Sequence, residues 1–137
     1  MNRSVALLVW VSTLVVPLSF GAVAEAVRGK APHLPANGLL FWISLATSIA
    51  CIALSRVLPR RVPAVPAGRE ATAFIRLVVG WALCEGAALF PLVAWIVTDD
   101  RRLLGVCAVD LLALLLLYPS GNRWEHLLPA EPIPVRR

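Results

Sequence analysis

Two acidic side chains, Glu85 and Asp110, stand inside long apolar stretches and are the chain's best candidates for chemistry. Glu85 lies in "WALCEGAALFP" and Asp110 in "GVCAVDLLALLLLY", and neither stretch contains a basic residue. Without a counter-charge in an apolar medium, each carboxyl is expected to be largely protonated. Such an acid either bonds helices together or carries a proton or cation, and both interpretations stay open.

Four apolar segments must position these acids. The chain of 137 residues is 59% hydrophobic and only 15% charged, whereas soluble domains are roughly 25% charged. About 20 apolar residues cross a bilayer as a helix, and open sheets would leave backbone donors unpaired in lipid. We therefore predict an all-α fold, a four-transmembrane-helix bundle forming a single membrane domain over residues 1–137. The predicted helices cover residues 4–27, 39–58, 73–97 and 103–118, with residues 119–137 as a flexible cytoplasmic tail.

The first segment has a second interpretation. A basic start at Arg3, an apolar stretch broken at Pro17, and the small-residue sequence Ala22-Val23-Ala24 are typical of a signal peptide. Cleavage after residue 24 would leave three helices. We favour an uncleaved helix because the apolar stretch is long for a signal peptide.

The basic residues predict the orientation. Nine of the 13 Lys and Arg residues fall on the side that carries both termini and the loop "PRRVPAVPAGRE", against four on the other side. The positive-inside rule therefore places both termini in the cytoplasm, in a cell membrane that we expect to be a bacterial inner membrane. The arginines are divided among loops without interleaved aromatics, which favours contact with anionic lipid over nucleic acid.

The second and third segments carry faces of small residues. Ser44 and Ser48 recur at helical spacing in the second segment, with Thr47, Cys51 and Ser55 beside them. A face of small residues in the third segment matches it, formed by Gly80, Cys84 and Ala87 with Ala82 and Gly86 beside them. Small residues allow close approach of helices in lipid, so these faces are predicted to pack. Ser44 and Ser48 are then hydroxyl partners for Glu85. These three residues and Asp110 are the candidates for ion binding or helix bonding.

The relative depth of Glu85 and Asp110 depends on where the third helix begins. Each acid lies eight residues from the inner end of its apolar run when these ends are Leu77 and Tyr118. The carboxyls then share a layer. A start near Thr72 instead separates the layers by about 7 Å, at 1.5 Å per residue.

Catalytic and metal-binding patterns are not found in the sequence. The two histidines, His33 and His126, fall in loops on opposite sides of the predicted membrane, and the cysteines form no C-x-x-C pair. A nucleophile with a nearby base is not visible either. We therefore predict a protein that is not an enzyme, with no metal and no cofactor.

The sequence around Glu85 resembles one family. "ALCEGAALFPLVAWIV" is similar to the carboxylate-bearing helix of ATP synthase subunit c, and "RVLPRR" is similar to its basic, proline-containing loop. The resemblance implies that Glu85 is the ion-binding carboxyl. The chain departs from that family in having further predicted spans, and in having Ser and Thr where the glycine-repeat helix is expected.

Two functions are consistent with these patterns. The first is a non-enzymatic subunit or assembly component of a larger membrane complex, whose partners are the lipid bilayer and other membrane subunits or further copies of itself. The alternative is proton or cation translocation by an oligomer through Glu85 and Asp110.

Overall fold

Five helices make up the part of the chain that the structure, a computed structural model, describes: residues 3–27 and 38–128. This part contains no strand, so the predicted all-α fold is confirmed. The predicted loop at residues 28–37 and the last nine residues of the predicted tail lie outside the described residues. The helices are α1 (Arg3–Val27), α2 (Gly38–Arg61), α3 (Arg69–Thr98), α4 (Arg102–Leu116) and α5 (Gly121–Leu127).

Three of these helices, α1, α2 and α3, are long and apolar enough to cross a membrane, which is consistent with membrane association. The fourth predicted span differs from expectation. Helix α4 has 15 residues and is about 22 Å long, short of a hydrocarbon core of about 30 Å. After a short break the chain bends by 82° into α5, and only the bent pair together meets the length of a span.

Helix α5 occupies part of the segment that was predicted as a flexible tail. Ser120 begins it as an N-cap, because its hydroxyl accepts a hydrogen bond from the backbone N–H of Arg123 at 3.4 Å. At its other end, the Arg76 guanidinium donates to the Leu127 carbonyl at 2.7 Å. These contacts bind residues 120–127 to the bundle, so the structure has a helix at the start of the predicted tail.

Helix α3 is the centre of the bundle and contacts all four other helices. Its buried side chains contribute to two apolar clusters, one toward each end. The first cluster includes Ala73, Leu77 and Trp81 of α3 with Leu114 of α4. The second includes Ala88, Leu92 and Trp95 of α3 with Leu103 and Cys107 of α4. The outer faces of α1, α2 and α4 expose long rows of large apolar side chains.

The ends of α3 are fixed by local backbone geometry. Gly68 immediately before it has a φ of 102°, a conformation that residues with a Cβ rarely adopt. The Thr72 hydroxyl donates to the Gly68 carbonyl and accepts from the Val65 N–H, both at 3.0 Å, which extends the helix back to Arg69. Asp99 ends it in the left-handed conformation, with its N–H bonded to the Trp95 carbonyl at 2.8 Å.

The last carbonyls of α4 receive side-chain donors. Trp10 of α1 donates to Leu114 at 3.2 Å, Trp81 of α3 donates to Leu117 at 3.0 Å, and Arg123 of α5 donates to Leu116 at 2.6 Å. The end of a helix leaves carbonyls without intrahelical partners, and in an apolar setting these must be satisfied by other groups. Three donors from three helices therefore allow α4 to stop early.

Candidate functional site

Asp110 forms a buried hydrogen bond between α4 and α2. Its side chain is fully buried, and its Oδ2 accepts a hydrogen bond from the Ser48 hydroxyl at 2.7 Å. Its other oxygen, Oδ1, has no hydrogen-bond partner in the described part of the chain. Asp110 therefore links two helices through one oxygen.

This polar pair lies between the two apolar clusters. On α4, Asp110 falls between Cys107 of one cluster and Ala113 of the other. On α3, Cys84 is buried, interacts electrostatically with Asp110 and also contacts Ser55 of α2. The three central helices thus each contribute to one weakly polar layer in an otherwise apolar interior.

Glu85 does not belong to that layer, although it lies at a similar depth. Its neighbour in sequence, Cys84, faces Asp110, and one residue along a helix changes depth by only about 1.5 Å. The same step of one residue rotates the direction of the side chain by about 100° around the helix axis. This rotation directs Glu85 away from the α2 and α4 contacts. Rotation about α3, and not depth, separates the two acids.

The carboxyl of Glu85 is only partly buried and makes no hydrogen bond or ion pair within residues 3–27 and 38–128. The predicted hydroxyl partners for it are wrong, because Ser48 donates to Asp110 instead. Ser44 is completely buried, and its hydroxyl has no partner among the described residues. Of the four candidate residues, the structure therefore brings together only Ser48 and Asp110.

The predicted small-residue faces are divided between two environments. α2 and α3 form the most extensive helix pair, and Gly80 makes the close approach: an added Cβ would lie 3.4 Å from the Ser55 carbonyl oxygen and 3.6 Å from Pro59 Cγ. Ala82 and Gly86 instead lie on the exposed side of α3, and a Cβ on Gly86 would meet nothing within 4 Å. The exposed pair leaves an open small-residue strip beside Glu85.

A second candidate site was missed by the sequence interpretation. A cavity of about 760 Å³, called here the basic cavity, opens between the end of α2, the start of α3 and the α4–α5 turn. Among the described residues, four arginines line it and no aspartate or glutamate does; the arginines are Arg56, Arg60, Arg76 and Arg123. The positive-inside rule predicts that these arginines lie on one side of the membrane, but Arg56 and Arg123 are 67 positions apart, so the sequence does not show that they surround one space.

Within residues 3–27 and 38–128, no acidic side chain in the lining neutralises the charge of the basic cavity. A guanidinium stays protonated in proteins, so all four arginines keep their positive charge. The cavity is therefore a preformed region of positive potential.

No cluster of three His, Cys, Asp or Glu side chains suited to a metal ion occurs within the described ranges. No protein-family model, curated protein or solved structure significantly matches this chain. The resemblance of residues 82–97 to ATP synthase subunit c consequently stays a prediction. The fold and the candidate sites therefore define a class of protein: a helical protein with three candidate membrane-spanning helices in its described part.

Proposed function

We propose that this chain is a non-enzymatic integral membrane protein that crosses the bilayer four times and serves as a subunit or accessory component of a larger membrane complex. Exposed apolar side chains along α1, α2 and α4 support a lipid environment for their outer faces; Leu8, Trp42 and Leu116 are each more than 60% exposed. The fourth span combines α4 with α5, and the side-chain donors to the α4 carbonyls support an end within the membrane.

The subunit role rests on one observation, the open position of Glu85. This acid lies near the middle of the longest helix, on a flank where the described residues offer it no partner. A polar group facing lipid at that depth costs roughly 2.5 to 3.5 kcal/mol on insertion scales for charged residues. A helix from another protein that covers it would remove this cost.

The exposed strip beside Glu85 suits such a helix. Ala82 and Gly86 are spaced as a small-xxx-small pair and are both exposed, so a second helix could approach the α3 backbone closely. We infer that the partner is a different membrane subunit that presents a hydrogen-bond donor at this depth. A second copy of this chain would bring another carboxyl to the same place.

Affinity purification of the full chain from membranes of its source organism tests the partner. The wild type should retain a specific membrane subunit that Glu85→Ala and Gly86→Leu both lose, while Ala50→Leu, an exposed small residue on α2, keeps it. Loss of the partner in all three variants, or in none, contradicts a binding surface at Glu85. Recovery of only this chain as an oligomer contradicts the different-subunit partner.

One observation supports the alternative function, ion translocation by an oligomer. Glu85 is partly exposed at mid-helix, as a carboxyl must be if it exchanges ions with a neighbouring subunit. Asp110 does not share that exposure, because it is fully buried and bonded to Ser48. Under this function, Glu85→Gln abolishes proton or cation flux in liposomes but leaves assembly intact; under the subunit function, glutamine preserves assembly and the wild type shows no flux.

Orientation is tested independently of either function. Both termini are proposed to lie in the cytoplasm of a bacterial inner membrane. Reporter fusions at Lys30 and at the C-terminus should then be active on opposite sides. A C-terminal reporter that is active only outside the cytoplasm contradicts the orientation, and a mature N-terminus at Glu25 in mass spectrometry would replace the first span by a signal peptide.

A further inference from the structure

We propose that the basic cavity binds the phosphate group of an anionic ligand, either the headgroup of an anionic phospholipid or a soluble phosphate monoester. Neither proposed function requires such a site, and the residues that form it lie away from Glu85 and Asp110. The argument rests on charge, on available donors and on the shape of the cavity.

Two of the four guanidiniums are available to a ligand. Arg56 and Arg60 make no hydrogen bond or ion pair within the described ranges. They lie four residues apart on α2, so their side chains project from the same helical face. A planar guanidinium matches phosphate oxygens with two parallel hydrogen bonds, and such charge-assisted bonds are roughly twice as strong as neutral ones.

The other two guanidiniums form a fixed wall of the cavity. Arg76 donates to the Val62 carbonyl from Nε at 3.2 Å and to the Leu127 carbonyl at 2.7 Å, while Arg123 donates to Leu116. Their positions are thereby set before any ligand arrives, and their charge adds to the attraction. Since no carboxylate among the described residues lines the cavity, a bound anion would neutralise its charge.

The cavity also has an apolar side. Leu77, Gly80 and Trp81 lie at its inner wall, and Leu115 and Leu116, which are 46% and 63% exposed, continue it onto the outer surface of α4. A volume of about 760 Å³ exceeds what a phosphate ion fills, so the cavity has room for a larger organic part of the ligand. Basic pockets between membrane helices on the cytoplasmic side accept lipid headgroups in this way, with the acyl chains along the apolar wall.

Binding of a fluorescent phosphatidylglycerol to the full-length protein in phosphatidylcholine micelles tests the site. The wild type should bind this lipid at least tenfold more tightly than fluorescent phosphatidylcholine. The double variant Arg56→Gln/Arg60→Gln should weaken phosphatidylglycerol binding by about tenfold or more, because two charge-assisted contacts are lost. Competition with glycerol 3-phosphate distinguishes the two possible sources of the phosphate group. Displacement of the lipid identifies a soluble phosphate monoester as a ligand, whereas no displacement identifies the phospholipid headgroup.

The matched control removes the same net charge outside the cavity. Arg61→Gln/Arg101→Gln changes two exposed arginines that do not line it, and should alter binding by less than about twofold. Equal weakening in both double variants indicates general attraction between charges and overturns the site. Equal binding of the two lipids, together with no binding of glycerol 3-phosphate, overturns it as well. Both variants should melt at the same temperature in phosphatidylcholine alone, which establishes that a loss of binding is not a loss of folding.

Discussion

Asp110 and Glu85 are both single acids in the middle of apolar helices, yet they differ in burial and in hydrogen bonding. Asp110 is fully buried and joined to Ser48 at 2.7 Å, whereas Glu85 is partly exposed and has no partner within the described residues. Their depths are similar, since Cys84 beside Glu85 interacts with Asp110. Rotation about the helix axis therefore decides whether an acid bonds to a neighbouring helix of its own bundle, as Asp110 does, or stays partly exposed, as Glu85 does.

The largest expected effect is on the buried acid. Asp110→Ala should lower the free energy of unfolding by about 2 to 3 kcal/mol, because it removes the α2–α4 hydrogen bond and leaves a small cavity. Glu85→Ala should leave the isolated protein within about 0.5 kcal/mol of the wild type, since it breaks no contact. Unfolding of the purified protein by titration with a denaturing detergent measures both. Similar losses in the two variants would remove the distinction between the acids.

Matched glycine substitutions compare the same two sides of α3. Gly80→Leu should cost about 2 kcal/mol of unfolding free energy, because its side chain meets the Ser55 carbonyl and Pro59 across a close helix contact. Gly86→Leu, only six positions along α3, enters open space and should change the isolated protein little. The same detergent titration measures the pair. A Gly86→Leu variant as unstable as Gly80→Leu would show that the Glu85 flank is buried within the bundle.

A smaller effect separates the two buried serines of α2. Ser48→Ala should destabilise the bundle by about 1 kcal/mol, because Asp110 then loses its only donor among the described residues. Ser44→Ala should be neutral or slightly stabilising, since its hydroxyl is buried without a partner there. Melting temperatures of the two variants in one detergent give the comparison. If Ser44→Ala proves the more damaging, the assigned bond between α2 and α4 is wrong.

The smallest effect belongs to an acid outside the spans, Asp100, which serves as a reference for Asp110 and Glu85. Its carboxylate accepts hydrogen bonds from Arg102, including one of 2.7 Å, and these bonds lower the pKa of Asp100. A lowered pKa in the folded state contributes stability above the unfolded value of about 3.9, and this contribution is lost as the pH falls through the folded value.

Asp100→Asn should therefore melt slightly below the wild type at pH 7, and the difference should shrink as the pH falls below about 4. Melting curves over this range measure it, at low salt, because the pair is exposed and screened. A difference that grows toward low pH would have the wrong sign for this ion pair.

Much of the secondary structure followed from the sequence alone. Runs of about 20 apolar residues in a membrane form helices. The predicted ends of α1, α2 and α3 therefore lie within a few residues of the ends in the structure. The start of α3 was missed by four residues because Gly68 and Thr72 fix it through their backbone contacts. Helix α5 was missed because its seven residues are held by Ser120 and Arg76, contacts that no hydrophobic pattern records.

The candidate site could be predicted only as a set of residue types. The sequence by itself determined that two acids stand in apolar helices and that basic residues collect toward one side, because composition and hydropathy are local properties. Only the tertiary structure decided that Ser48 bonds Asp110 and that Glu85 is left open. It also decided that arginines from α2, α3 and α5 surround one cavity. The physical reason is that each successive residue of a helix points about 100° further around the axis. Which of these side chains become buried therefore depends on which helices pack beside that helix.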